Sequence, residues 1–376
     1  MRRSTPANST GENTQAVALI KAQFNTISPE NVLKWESVHP QPGKFDFSVA
    51  DRYVEFGQMN KMFIVGHTLV WHSQTPRWVF QNEQGKPVDR ERLLARMREH
   101  IFAVVGRYKG KIGGWDVVNE ALNEDGTLRE SQWKKIIGED YLVKAFQFAH
   151  EADPQAELYY NDYSLDNKPK RNGAIALVKK LQAQGIHLTA VGLQGHYKMD
   201  WPTPTQLDET IAAFSKLGVK VMITELDLDV LPSPTSDRGA DVALNFAAQA
   251  KLNPYTNGLP DSVQQQITQR YADFFAVFVK HRDTVSRVTF WGVTDADSWL
   301  NDWPIRGRMS YPLLFNRDFQ PKPAFDAVIK QAGNSNKFER LLFLQFHFAI
   351  PISGQGMAVA IRRCASDKIS PVRRWV

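Results

Sequence analysis

Cysteine is almost absent. Cys364 stands alone among 376 residues, which excludes an internal disulfide and says little about compartment. No apolar run reaches the roughly 18 residues that a membrane span needs, so no membrane partner is expected. The opening "MRRSTPANST" has basic residues but no apolar stretch behind them, so it does not read as a secretory signal. The chain is expected either to stay inside the cell or to be a trimmed form of a secreted protein. An excess of one charge is missing from the body as well. The formal net charge is +6; Arg2 and Arg3 supply +2 of it, while Arg362, Arg363, Lys368, Arg373 and Arg374 against Asp367 supply +4. Residues 4–360 are therefore neutral overall, with no electrostatic footprint for a phosphate backbone, and no nucleic-acid partner is expected.

What is present is a globular composition, 43% hydrophobic and 23% charged, which excludes a disordered chain. From residue 14 to 333, helix-like and strand-like stretches alternate. "TQAVALIKAQF" precedes "NTISPENVLKW"; a helix over 48–60 precedes "MFIVGHTLVWH"; the amphipathic "RERLLARMREHIFAVVGRY" precedes "IGGWDVVNE". Helices over 132–150, 171–184, 205–217 and 262–282 precede "AELYYNDY", "AVGLQGH", "VKVMITELD" and "RVTFWGV", and "KPAFDAVIKQA" closes the series. Apolar, β-branched runs between helices imply parallel strands covered by helices. Seven of them favour the α/β class and a (β/α)8 TIM barrel. A doubly wound sheet would carry a Gly-rich turn after its first strand, and none is present.

Polar residues gather late in these strands: Glu30 and Asn31, His67, Asn119 and Glu120, Asn161 and Asp162, Gln194 and His196, Glu225 and Asp227, and Trp291. In a parallel barrel those ends share the face that holds active sites. The loop over 228–261, rich in Pro, Gly and Asn, lies on the same face and is long enough to be functional or mobile. Glu120 and Glu225 each close an apolar run, where a carboxylate is expensive to bury without a partner or a task. Two carboxylates across a cleft are the minimum equipment for hydrolysing a glycosidic bond, one donating a proton and the other attacking or assisting at the sugar carbon. Asp227 lies two residues from Glu225, and His196 two from Gln194, so each pair should face one way. A chain Asp227–His196–Glu225 would keep Glu225 ionised. Glu120 needs the opposite tuning, which Trp115, other apolar neighbours and a negative Glu225 would favour.

Taken singly, each of these residues has an ordinary explanation. A strand-end Glu is often a solvated rim residue, and His67 or His196 could be hydrogen-bonded core histidines. Any one of Trp71, Trp78, Trp291 and Trp299 could simply fill the core. His67 and His72 are five apart on a strand and face opposite sides, so no metal site is expected. Convergence of all of them on one face of one sheet is what favours a site.

The strings "SPENVLKWE", "GHTLVWHSQTP", "WDVVNE", "LYYNDY", "GLQGH", "ITELD" and "FWGVTDADSW", in that order, resemble the signatures of glycoside hydrolase family 10, the endo-1,4-β-xylanases, over roughly residues 14–332. The resemblance implies a cofactor-free, metal-free, monomeric enzyme, secreted to the cell exterior or periplasm, whose partners are xylan and xylooligosaccharides. It makes Glu120 the acid/base and Glu225 the nucleophile of a retaining double displacement. Asn119 resembles the residue that bonds the sugar 2-hydroxyl, and His196 and Asp227 resemble the supports of the nucleophile. Lys34, His67, Gln194 and Trp291 resemble the wall of the cleaved sugar's subsite; Glu30, Asn31, Trp71, Gln74 and Trp299 resemble the next subsite outward. Alternatives are a barrel hydrolase acting on another β-1,4-glycan, such as cellulose or mixed-linkage glucan, and a silent carbohydrate-binding barrel that would be expected to have lost a carboxylate.

Two departures stand out. Ser164 replaces the Asn that commonly follows "NDY". A first strand of the "FLIGAAV" kind is missing ahead of the first helix, where residues 1–13 form a polar, turn-rich segment; an open barrel would expose two strand edges. The basic tail, 334–376, has no counterpart in the resemblance. Its stretch "RLLFLQFHFAIPI", 340–352, is strand-like and is a candidate replacement strand reaching the vacant slot by right-handed crossover. The competing reading is a foreign stretch left by cloning or a shift of reading frame.

Overall fold

The computed structural model describes residues 14–234 and 239–333 and the backbone of 357–360. Helix α1 (Thr14–Gln23) leads into β1 (Thr26–Pro29), a short α2 (Trp35–Val38) and α3 (Ser48–Met59). Then come β2 (Phe63–Trp71), α4 (Arg90–Arg107), β3 (Gly114–Asn119), α5 (Gln132–Ile137), α6 (Tyr141–Ala152) and β4 (Glu157–Asp162). The second half runs α7 (Lys168–Ala183), β5 (Ala190–Leu193), β6 (His196–Lys198), α8 (Pro204–Ser215), β7 (Lys220–Asp229), α9 (Asp261–Lys280), β8 (Val285–Phe290), α10 (Pro323–Gly333) and β9 (Met357–Ala360).

The strands are buried on both faces, as apolar runs between helices demand. In β3 every residue is buried, and in β2 all but Phe63. Asp89, Ser131 and Thr203 start α4, α5 and α8 by accepting backbone N–H groups, each satisfying a donor that the first turn leaves free. Helix α9 buries Ile267, Tyr271, Phe274, Phe275 and Phe278, a helical stripe that seats it on the sheet. The expected helix over 132–150 is two helices. Gly138, at φ 98°, takes a conformation that L side chains resist and ends α5.

β1, β2, β3, β4, β5, β7 and β8 pair in parallel, with β5 beside β7. β9 completes the ring, running antiparallel to β1 over Thr26–Pro29 and to β8 at Phe290. The fold is thus a (β/α)8-type barrel of seven parallel strands closed by an eighth of opposite direction. The segment 340–352, the candidate for that place, lies outside the described residues, as does 1–13. At the barrel floor Val65, Tyr159, Ala190 and Met222 form an inner layer with Phe63. The Arg287 guanidinium lies 4.0 Å over the Phe63 ring and donates to the Tyr159 hydroxyl at 3.1 Å. The floor is therefore plugged and ligand access is from the other end.

Because β9 joins the edges of β1 and β8, truncation after Gly333 is expected to lower the melting temperature by at least about 2 °C. Differential scanning calorimetry checks it; an unchanged transition would show that the ring holds without its eighth strand.

Candidate active site

At the C-terminal ends of the strands a cleft of about 530 Å³ is lined by Glu30, Asn31, Lys34, His67, Trp71, Gln74, Asn119, Glu120, Gln194, His196, Glu225, Ala240, Val242, Trp291 and Trp299. Of the fourteen residues given a catalytic, supporting or sugar-binding role, all line it except Asp227, which sits behind His196 and Trp299; Asn161 and Asp162, also named at the strand ends, do not. Ala240 and Val242, from the long loop after β7, were not anticipated by name; nothing in their residue types marks them.

Glu120 follows the last residue of β3. Its N–H bonds the Asn161 carbonyl at 2.9 Å, continuing the ladder from β3 to β4, while its φ of 56° turns the side chain out of the strand into the mouth. Oε2 accepts the indole N–H of Trp71 at 2.8 Å; Oε1 accepts the Gln194 amide at 2.9 Å and the Asn119 amide at 3.3 Å. The carboxyl is pushed up to about 7, by burial first, then by the charge of Asp162, and least by Glu225; the donors from Gln194 and Trp71 oppose this. The repulsion expected from Glu225 is therefore present but small, and the larger one, from Asp162, was not foreseen. Trp71, which the resemblance assigned to the outer subsite, holds this carboxyl directly.

Glu225 lies inside β7, not at its end. Burial pushes its carboxyl up, but the hydrogen bond from His196 and the charges of His67 and His196 outweigh this and hold it below the ordinary carboxylate value. Its Oε1 accepts the Asn161 amide at 2.8 Å and its Oε2 faces His196 Nε2 at 3.1 Å. The opposite ring nitrogen, Nδ1, meets Asp227 Oδ1 at 3.0 Å, and Asp227 Oδ2 accepts the Trp299 indole N–H at 2.7 Å. Burial alone would lower the imidazole; the two carboxylates raise it to about 10. His196 is thus a cation donating from both nitrogens at neutral pH.

Parity explains only part of this chain. Gly195, at φ 82°, breaks the expected single strand, so Gln194 follows β5 while His196 opens β6. β6 pairs with β7 alone, with His196 opposite Asp227. A glycine at that φ carries no Cβ penalty.

Asn161 is the main residue whose role sequence reasoning missed. Its amide N–H groups reach Glu225 and Asn119 Oδ1 (3.0 Å), and its Oδ1 accepts the Thr224 hydroxyl at 2.6 Å. Through Asn119 and Asn161 the surroundings of the two glutamates form one network. The place of Asn161 at the polar end of an apolar run was the available signal; the register that sets it opposite Asn119 was not.

The outer wall is equally ordered. Lys34 donates to Asn31 at 2.9 Å and to Gln74 at 2.7 Å, and lies 4.8 Å over the Trp71 ring. Burial lowers this lysine against the pull of Glu30, Glu225 and Glu120, while burial raises Glu30 against the pull of Lys34. His67 Nδ1 is 2.9 Å from Asp116, and its ring meets Trp291 edge to face at 5.7 Å. Trp299 stacks on Trp303 at 4.4 Å. Among the described residues no group of three or more His, Cys, Asp or Glu could hold a metal ion, and no helix is long and apolar enough to cross a membrane.

A closed barrel with two buried carboxyls at its mouth, one protonated near neutrality and one bare, has the form of a barrel hydrolase for glycosidic bonds. The chain belongs to glycosyl hydrolase family 10, whose pattern it matches over residues 3–331. It is 47% identical over 314 residues to endo-1,4-beta-xylanase A of Xylanibacter ruminicola, covering 84% of this chain and 85% of that protein. To a beta-1,4-xylanase of Dictyoglomus thermophilum it is 44% identical, with 83% of each chain covered. A solved structure described as a novel GH10 endoxylanase retrieved from a sugarcane soil metagenome superposes with a TM-score of 0.83 at 46% identity, covering 84% of this chain and 92% of that one.

Ser164 lies at φ 53°, a left-handed conformation that Asn tolerates better than Ser. This accounts for the Asn common at that place in the resemblance. Ser164→Asn is expected to stabilise the fold by about 0.5–1 kcal/mol, read from urea unfolding; a loss of stability would show that the side chain, not the backbone, decides there.

Proposed function

We propose that this protein is an endo-1,4-β-xylanase that cleaves internal β-1,4-xylosidic bonds of xylan by a retaining double displacement. The observation that carries the mechanism is the opposed tuning of two buried carboxyls. Glu120, raised to about 7, keeps a proton for the leaving oxygen. Glu225, held low by His196, keeps the lone pair that attacks the anomeric carbon. In the first step Glu225 forms a bond to that carbon as the glycosidic C–O bond breaks, and Glu120 protonates the departing oxygen. In the second, Glu120, now ionised, takes a proton from water as the water oxygen displaces Glu225. Asn119 is suited to bond the 2-hydroxyl, an interaction that strengthens as the ring flattens. Trp291 and Trp299 offer apolar faces to pyranose rings; Lys34, His67, Glu30, Asn31 and Gln74 offer partners for hydroxyls.

The substrate is tested by reducing-sugar release from xylan and cellulose side by side, with release from xylan expected to dominate at least about tenfold. Comparable release would favour a broader β-1,4-glycan hydrolase, and binding without release a silent barrel.

The roles are tested with azide. Glu225→Ala should lose at least about 10³-fold in rate and give an inverted glycosyl azide, since the small anion enters the vacated face. Glu120→Ala should give the retained azide, because the covalent intermediate still forms. Exchanged stereochemistry, read by NMR, would reverse the two assignments.

A further inference from the structure

β4 ends in two polar residues, and only Asn161 serves the cleft. Asp162 is wholly buried behind it. Its Oδ1 lies 3.0 Å from Lys170 Nζ, both side chains being fully buried, and accepts the Tyr163 N–H at 2.9 Å. Its Oδ2 accepts the Tyr160 hydroxyl and, at 3.4 Å, the Leu122 N–H. Lys170, from the first turn of α7, also reaches Glu124 Oε1 at 3.0 Å and lies 3.4 Å over the Tyr163 ring. The segment carrying Glu120 is thus tied to this pair through Leu122. Arg129 ties it again, donating to the Glu120 carbonyl at 3.3 Å, the Leu122 carbonyl at 3.4 Å and the Tyr163 hydroxyl at 3.0 Å. Neither Asp162 nor Lys170 lines the cleft, so neither is placed to touch a sugar. A buried ion pair is weak evidence for a stabilising role, since apolar side chains of like volume often serve as well.

We propose that the Asp162–Lys170 pair is a positioning unit for Glu120, anchoring residues 120–122 and setting the charge that the Glu120 carboxyl faces from behind. The inference rests on Glu120 being the acid/base. Besides Asp162 from β4, Glu120 faces Glu225 from β7, Lys34 after β1, Arg129 and Tyr163, with Trp71 from β2 and Gln194 after β5 as donors. Changing Asp162 or Lys170 alters this field without removing a cleft wall. Without Lys170, the Asp162 side chain keeps its donors, the Tyr163 and Leu122 N–H groups and the Tyr160 hydroxyl, but loses the cation that offsets it at Glu120, so Glu120 holds its proton to higher pH. Without Asp162, Lys170 stands as a cation behind Glu120, which then ionises at lower pH. The two variants act with opposite sign.

The test is the pH profile of kcat/KM for the full chain on unactivated xylohexaose, whose leaving group needs the acid. Lys170→Met should move the alkaline limb up by about half a pH unit or more, and Asp162→Asn should move it down by about as much. The acid limb should stay in place, and Lys170→Arg should restore the original profile. Unmoved limbs, or limbs moved in one direction by both variants, would overturn the proposal. Should Lys170→Met not fold, the sign of the Asp162→Asn shift decides alone. If Glu120→Ala shows no azide rescue, the acid/base reading itself fails; if it is rescued while the limbs stay fixed, only the present proposal does.

Discussion

His196 is held between two buried carboxylates, and the chemistry of the cleft depends on that contact. Taking an ion out of water costs several kcal/mol even after relaxation, and Glu225 is almost fully enclosed. Left alone it would take up a proton and lose its nucleophilic lone pair. Hydrogen bonds to charged groups contribute about 1.5–3 kcal/mol each, and Glu225 accepts two, from His196 and Asn161. The imidazole donates both its protons only because Asp227 receives the other one, and Asp227 is oriented by Trp299. Segments from β4, β6, β7 and the loop after β8 thus converge to keep one carboxylate bare.

The same enclosure acts on Glu120 with the opposite result. Its donors are neutral, Trp71, Gln194 and Asn119, and its strongest charged influence is another carboxylate, Asp162. Burial therefore wins there and loses at Glu225. Two identical side chains in one cleft hold different charges because one has a cation as partner and the other does not.

Much of this was legible in the sequence because parallel strands buried on both faces must be apolar, leaving their polar ends conspicuous. The alternation of strands and helices, and thirteen of the fourteen residues singled out at the cleft wall, follow from that contrast. What was hidden is register. Bulges interrupt the pairing between Asp116 and Val118 and between Ile223 and Leu226, so alternation cannot be carried through them. The break at Gly195 moved His196 to a separate strand, and it still meets Asp227 because β6 pairs with β7 there. Asn161 and Asp162 are adjacent and chemically alike in polarity. That one serves the cleft and the other a buried lysine depends on the direction of a single step along β4, which composition cannot reveal. Closure by β9 was hidden for another reason: four residues of small and apolar type carry no sign of which edge they will join, or in which direction.

Backbone strain adds a constraint of its own. Glu120 and Gln74, both on the cleft wall, have φ values of 56° and 45°, in a region that costs an L residue roughly 1–2 kcal/mol. Such conformations persist only where the surroundings over-determine them. For Glu120 they do: the N–H is fixed to Asn161, the carbonyl to Arg129, and the carboxyl to Trp71 and Gln194. A relaxed, strand-like Glu120 would alternate with Asn119 and point its side chain away from the barrel mouth. The left-handed turn sends both side chains to the same cleft, so the proton donor and the residue suited to the 2-hydroxyl can face one sugar ring. Strain at this residue is therefore the conformational requirement for placing an amide and an acid side by side, and the hydrogen bonds around it keep that placement fixed before any substrate arrives.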